Sequence, residues 1–170
     1  RREPVFRQAL RSLVNRDDPD PAKRNGVMGL DSSRCEGGSE ITTYDSLDAS
    51  LGQARNNVYL AMKCWAAYIL LESLFRRLGR EANADEARCQ ARRCAKTLTD
   101  SVDADGCLPA ILGDSTVTAR IIPAIEGLIY PYIAGEHEVF DRDGRFGNLM
   151  VSLEHHLGSV LREGVCVFPD

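Results

Sequence analysis

The sequence is short of the residue patterns that usually announce chemistry. No two of its six cysteines are spaced CxxC, and HExxH is absent, so zinc-ribbon and zincin sites are excluded. There is no GxSxG elbow and no glycine-rich phosphate loop, which removes the common serine hydrolase and nucleotide-binding motifs. Positive charge is not in excess: the formal net charge is −4, against the clustered Lys and Arg that phosphate backbones require. No nucleic-acid partner is therefore expected. Long apolar runs are missing too. The longest nearly uncharged run, 58–71, contains Lys63 and is shorter than the roughly 20 residues of a membrane span. The opening Arg1-Arg2-Glu3-Pro4 leads into an amphipathic stretch, so no secretory leader and a cytoplasmic location are expected.

What is present is an ordinary globular composition, 44% apolar over 170 residues, enough for one domain with a core. Cys64 falls inside an apolar helical run and Cys94 on the apolar stripe of another. The expectation is reduced, buried thiols rather than a disulfide framework.

Apolar spacing predicts a helix over 5–15 through Phe6, Leu10, Leu13 and Val14, ended by Asp17-Asp18-Pro19-Asp20-Pro21. A long glycine-punctuated stretch follows, and its part 41–45 is β-branched and aromatic. The strongest helix is expected over 53–78, stopped by Gly79 and apolar on nearly every side, hence buried all round. The next, 84–102, is apolar on one face only, with Asn83 and Glu86 as a capping-box variant. Residues 103–106 read as a turn, 123–134 as an apolar helical segment interrupted by Pro131, and 146–163 as a last helix. That last helix has the stripe Phe146, Leu149, Met150, Leu153, Leu157, Val160 and Leu161. A buried helix followed by a half-exposed one is the unit of an α/α barrel. Such a barrel takes about a dozen helices of ordinary length, more than this chain supplies. The expected fold class is mainly α, part of an incomplete α/α barrel, with residues 1–170 a single segment truncated at both ends.

Metal sites read poorly. Residues 101–106 resemble the opening of a calcium loop, but its twelfth position is Leu112 where a bidentate Glu is needed. His155 and His156 are adjacent, so on a helix they point about 100° apart. His137 lies in a polar stretch and reads as solvated. The cluster Arg76, Arg77 and Arg80 sits at a helix end, where it complements the helix dipole.

Carboxylates remain. Ile41-Thr42-Thr43-Tyr44-Asp45-Ser46-Leu47-Asp48 sets two carboxyl groups beside hydroxyls and an aromatic ring, just ahead of the most buried helix. A carboxyl group partly dehydrated against an aromatic ring holds its proton to higher pH, as a general acid must. By spacing alone Asp48 or Ser50 reads as the cap of that helix, and Asp45 is left open.

The run from Ile41 to Asn57 resembles glycoside hydrolase family 52, the β-xylosidases. The likeness continues through Val58-Tyr59-Leu60-Ala61 and Trp65. It returns in Leu108-Pro109-Ala110-Ile111-Leu112, in Ile125-Glu126-Gly127-Leu128-Ile129-Tyr130-Pro131, and in Phe168-Pro169-Asp170. Thr43-Tyr44-Asp45 also resembles the acid/base motif of the related family 116 β-glucosidases, which favours Asp45 over Asp48. The resemblance implies a catalytic (α/α)6 barrel, mainly α, of which residues 1–170 would be one incomplete segment, with retention of configuration, no cofactor, and xylo-oligosaccharides or aryl β-xylosides as substrates. It further implies a nucleophilic glutamate that none of Glu3, Glu36 or Glu40 matches, so the missing remainder of the same chain is an expected partner. A homodimer is a further expectation. Thr43, Asp48, Glu126 and Arg120 are the substrate-contact candidates, with Arg120 also a partner for Glu126. Trp65 is expected in the core. The alternatives are a β-glucosidase or other glycosidase on the same barrel, or a non-catalytic helical interaction module.

Overall fold

The computed structural model describes residues 3–18, 20–28, 56–122 and 127–164. Among these the chain is mainly helical, and Asn57 and Ile111 form an isolated antiparallel bridge. In order, α1 spans Glu3–Asn15, a 3-10 turn spans Pro21–Lys23, α2 spans Val58–Arg77 and α3 spans Glu81–Asp100. Then come the short α4 at Ile129–Ile133, a 3-10 turn at His137–Phe140, and α5 at Gly147–Val160.

The centre is the pair α2 and α3, packed along most of their length, with α1 across one end and α4, α5 and the second 3-10 turn at the flanks. α2 buries residues around its whole circumference, including Met62, Trp65, Tyr68, Ile69 and Phe75. Its length and hydropathy would suit a membrane span, unlike the shorter run read from the sequence, but most of that surface is buried inside this fold. α3 buries only the stripe Ala84, Ala87, Ala91, Cys94 and Leu98. Three alanines in that stripe let the two helix backbones approach closely, since an alanine projects only one methyl group. The Trp65 and Phe146 rings meet edge to face, centroids 5.3 Å apart, and tie α2 to the start of α5. Trp65 is fully buried, as a core residue should be.

The end of α2 follows from Gly79. Its φ of 65° lets the Gly79 N–H bond to Arg76 O at 3.0 Å and the Arg80 N–H to Phe75 O at 2.8 Å, a Schellman closure. The end of α1 is held by Asp17, a buried carboxylate that accepts from the Asn25 and Gly26 N–H groups (3.0 and 2.8 Å) and from Gln90 Nε2 on α3 (3.2 Å).

Several boundaries differ from those the sequence suggests. α2 does not run from 53. Asn56 has φ 54°, Asn57 is extended, and the helix opens at Val58 with Asn57 Oδ1 accepting the Tyr59 N–H at 2.8 Å. The cap is therefore Asn57, not Asp48 or Ser50. α3 starts at Glu81, so Asn83 and Glu86 lie inside it and form no capping box; its cap position, Arg80, makes no side-chain cap bond. Pro131 does not interrupt α4. It sits in the first turn, where a missing N–H costs nothing. α5 ends at Val160, leaving Leu161 half exposed. Cys64, Cys94 and Cys107 are free and buried, but Cys89 is exposed.

Polar groups close the structure. Glu72 is nearly inaccessible, yet it meets Arg76 at 2.5 Å, Arg88 at 3.0 Å and Arg145 at 2.7 Å. Arg77 pairs with Glu136 and Arg80 with Glu3. The three arginines at the end of α2 are thus structural, through specific ion pairs as well as the helix dipole.

Candidate functional site

Of the residues singled out by the sequence, Asp45, Thr43, Asp48 and Glu126 lie outside the described residues. The described chain instead provides the frame to which both of their segments attach. Residue 55 leads into Asn56 at the head of α2, and Glu126 leads into Gly127. Gly127 lies so close to α2 that a Cβ there would stand 2.6 Å from the Met62 carbonyl oxygen, so no larger residue fits without a backbone shift. The two attachment points therefore sit at the same end of α2.

A third segment binds them. The Val58 N–H donates to Ala110 O at 3.0 Å and the Leu112 N–H to Asn56 O at 2.8 Å, flanking the Asn57–Ile111 bridge. These bonds satisfy backbone groups at the head of α2 and fix a residue in the left-handed region, a conformation asparagine tolerates better than most. Asn57 caps the helix with its side chain and Asn56 binds the 108–112 backbone with its carbonyl, so both asparagines serve the helix start. Three blocks far apart in sequence, ending at 57, at 108–112 and beginning at 127, thus converge on the first turns of α2.

That convergence is pinned from α5 by two histidines. His156 is fully buried. Its Nδ1 lies 3.2 Å from the Leu108 N–H and its Nε2 3.1 Å from Ile121 O. Leu108 can only donate, so Nδ1 is bare and Nε2 carries the proton it gives to Ile121. The ring is therefore neutral, and burial first, with Arg120 adding to it, lowers its proton affinity; the Ile121 bond and Asp103 oppose. His155 Nδ1 lies 3.0 Å from Gly106 O. The 103–106 turn is as expected: Asp103 Oδ1 accepts from the Asp105 and Cys107 N–H groups, and Gly106 takes φ 75°. Adjacency keeps the histidine pair from sharing a metal, but the spacing of position 156 from Leu153 and Val160 already places it on the apolar face of α5.

Arg120 is part of this frame. It is ion-paired with Asp103 and lies 3.7 Å from Asp105. Its guanidinium is engaged with that turn, and Glu126, the other partner expected for it, lies outside the described residues. Beside the same end of α2, the Lys63 ammonium bonds to the Tyr59 hydroxyl and stands 5.9 Å from the centre of the Tyr130 ring. Among the described residues no group of His, Cys, Asp and Glu is arranged to hold a metal. His137 is exposed and meets Tyr132 edge to face.

Comparison with known proteins gives a consistent direction. A β-xylosidase from Geobacillus stearothermophilus is 58% identical over 166 residues, which is 98% of this chain. A second protein of the same name and organism is 43% identical over 91 residues, 54% of this chain. The chain spans less than a quarter of these relatives, 23% and 15% of their lengths. No family model matches the chain.

Proposed function

We propose that the chain is a segment of a glycoside hydrolase of the β-xylosidase type, family 52, and that it supplies the general acid/base, Asp45, to an active site completed by the rest of a longer polypeptide. The observation that carries this is the 58% identity to a β-xylosidase across nearly the whole chain. The packing supports it, since the conspicuous sequence blocks attach around one end of α2. α2 as an inner helix and α3 as an outer one are compatible with one portion of an (α/α)6 barrel.

In this reading Asp45 protonates the departing glycosidic oxygen while a glutamate outside this chain attacks the anomeric carbon. The result is a covalent glycosyl-enzyme. Asp45, now ionised, takes a proton from water, whose oxygen releases the sugar with retained configuration. Retaining enzymes hold the two carboxyl groups about 5–5.5 Å apart, too close for a water to intervene during attack. Asp45 therefore cycles between acid and base, its proton affinity falling once the nucleophile's charge is consumed. The substrate is the non-reducing end of a β-1,4-xylo-oligosaccharide, cut one xylose at a time, and no cofactor is needed. Thr43, Asp48, Glu126 and Arg120 are the candidate sugar-contacting groups. Arg120 supports the adjacent turn through Asp103.

The test uses the full-length polypeptide. Aryl β-xylosides and aryl β-glucosides of graded leaving-group ability are compared for wild type and Asp45→Ala. The expected result is a loss of about 10²-fold or more on poor leaving groups and a much smaller loss of the first step on good ones, with xylosides preferred. An Asp45→Ala variant active on every leaving group sinks the assignment. Preference for glucosides redirects it to a β-glucosidase.

A further inference from the structure

We propose that the outer face of α4 is a docking surface, covered by a part of the same polypeptide that lies beyond residues 1–170. This rests on the reading of the chain as a segment of a longer one. Ile129, Tyr132 and Ile133 stand at i, i+3 and i+4, so they share one face of the helix. They are 52%, 64% and 77% exposed, while Pro131, on the opposite side, is buried. Tyr130 beside them is exposed as well. Elsewhere among the described residues, large apolar side chains this exposed are scattered, at Val5, Leu78, Val151 and Leu161. Single exposed apolar residues are ordinary, but a contiguous group on one helical face marks a contact surface.

The composition of the face selects a protein partner. A sugar platform needs the flat face of an aromatic ring. Here the most exposed residue is Ile133, which has no ring, and the Tyr132 ring packs against His137 and Phe140, with centroids 5.1 and 6.3 Å away. A lipid surface is disfavoured too. α4 is five residues long and has no Lys or Arg, and Glu136 and Glu138 follow it, where an interfacial anchor carries a long basic face. Isoleucine and tyrosine side chains on one face suit instead the apolar core of a protein contact.

The packing indicates which protein. α4 lies against α2 and α5 against α3, so the pair α4 and α5 runs alongside the pair α2 and α3. In the first pair α2 is buried around its circumference. In the second, α4 has α2 on one side and its apolar face open on another. One more layer of chain on that face would give α4 the surroundings that α2 already has. The length for it exists in the relative: the β-xylosidase that matches 98% of this chain does so over 23% of its own length, so more than three-quarters of it lies elsewhere.

The test uses the full-length polypeptide. Hydroxyl-radical footprinting of the wild type reads Tyr132 and Ile133 without any substitution. Both should react about tenfold or more slowly in the native protein than in denaturant, as in the core of an interface. Reaction at the denatured rate shows an open face and overturns the proposal. A small aliphatic diazirine amino acid at position 133, photolysed in a mixture of isotope-labelled and unlabelled protein, then identifies what covers it. The expected cross-link joins position 133 to a peptide outside residues 1–170 of the same chain. A cross-link between labelled and unlabelled chains makes the face a contact between copies. A cross-link confined to residues 1–170 makes it locally covered. Either overturns the proposal. Hydrolysis of aryl β-xylosides by the same preparation separates the two claims. If it is absent while the expected cross-link forms, the activity reading falls and the docking surface stands. If it is present while position 133 is open, only the docking surface falls.

Discussion

Glu72 on α2 meets Arg145, in the loop ahead of α5, at 2.7 Å, and the same carboxylate also meets Arg88 of α3 and Arg76 of its own helix. One nearly inaccessible carboxylate thus joins α2, α3 and the loop before α5. Its removal takes away the anion the three guanidinium groups share, offset in part by Asp85, 3.2 Å from Arg88, and Glu138, 3.7 Å from Arg145. Glu72→Gln should destabilise the protein by about 2–4 kcal/mol, near the lower end of the range for a broken buried pair because the arginines retain partial access to water. Urea unfolding monitored by circular dichroism measures it. A change under about 0.5 kcal/mol would mean that the cluster is solvated and holds nothing.

The contact between α2 and α3 depends on small residues. Ala84, Ala87 and Ala91 are completely buried. Ala91→Leu should therefore cost about 1–3 kcal/mol by overpacking, although leucine is the more apolar residue and a good helix former. Ala82→Leu, at an exposed position on the same helix, should be close to neutral. Equal thermal midpoints for the two variants would contradict the close approach.

The helices were legible because their signals are local. Phe6, Leu10, Leu13 and Val14 recur at helical spacing, α2 is apolar all round, and Gly79 stops it where its positive φ is needed. What stayed hidden was set by distant partners. Asn57 caps α2 because the 108–112 segment holds the chain extended there, and nothing in the sequence near 53 says so. Glu72, Asp17 and His156 are buried polar residues that each need a partner far along the chain, which no short window reveals. Pro131 looks like a break in the sequence because proline usually is one; only its place in the first turn of α4 makes it harmless. Of the candidate site, the sequence supplied Asp45 through resemblance, and the structure supplied the frame to which its segment attaches.

Thiol reactivity should sort by burial. Cys89 is exposed, whereas Cys64, Cys94 and Cys107 are buried. Burial also raises the proton affinity of Cys64, to a pKa of about 11, and that of Cys94, so the reactive thiolate is scarce at both. Alkylation at neutral pH followed by peptide mapping should label Cys89 within minutes and leave Cys64, Cys94 and Cys107 unmodified until denaturant is added. Labelling of Cys94 as fast as Cys89 would show that α2 and α3 separate readily.

The histidine clamp predicts a direction for the pH dependence of stability. Unfolded, an imidazole takes up its proton near pH 6.5. Folded, burial of His156 and the nearby Arg120 lower its proton affinity against the opposing pull of Ile121 O and Asp103. Below about pH 6.5 the unfolded chain therefore binds a proton that the native chain resists, and native stability falls as the pH is lowered. Above it neither state is charged at this position, and the contribution is flat. His156→Asn has no proton to take up. Its unfolding free energy should lose less than that of wild type between about pH 7.5 and pH 5.5. Parallel curves over that interval would mean that His156 is as easily protonated folded as unfolded, and that the bond from Leu108 does not require the neutral ring.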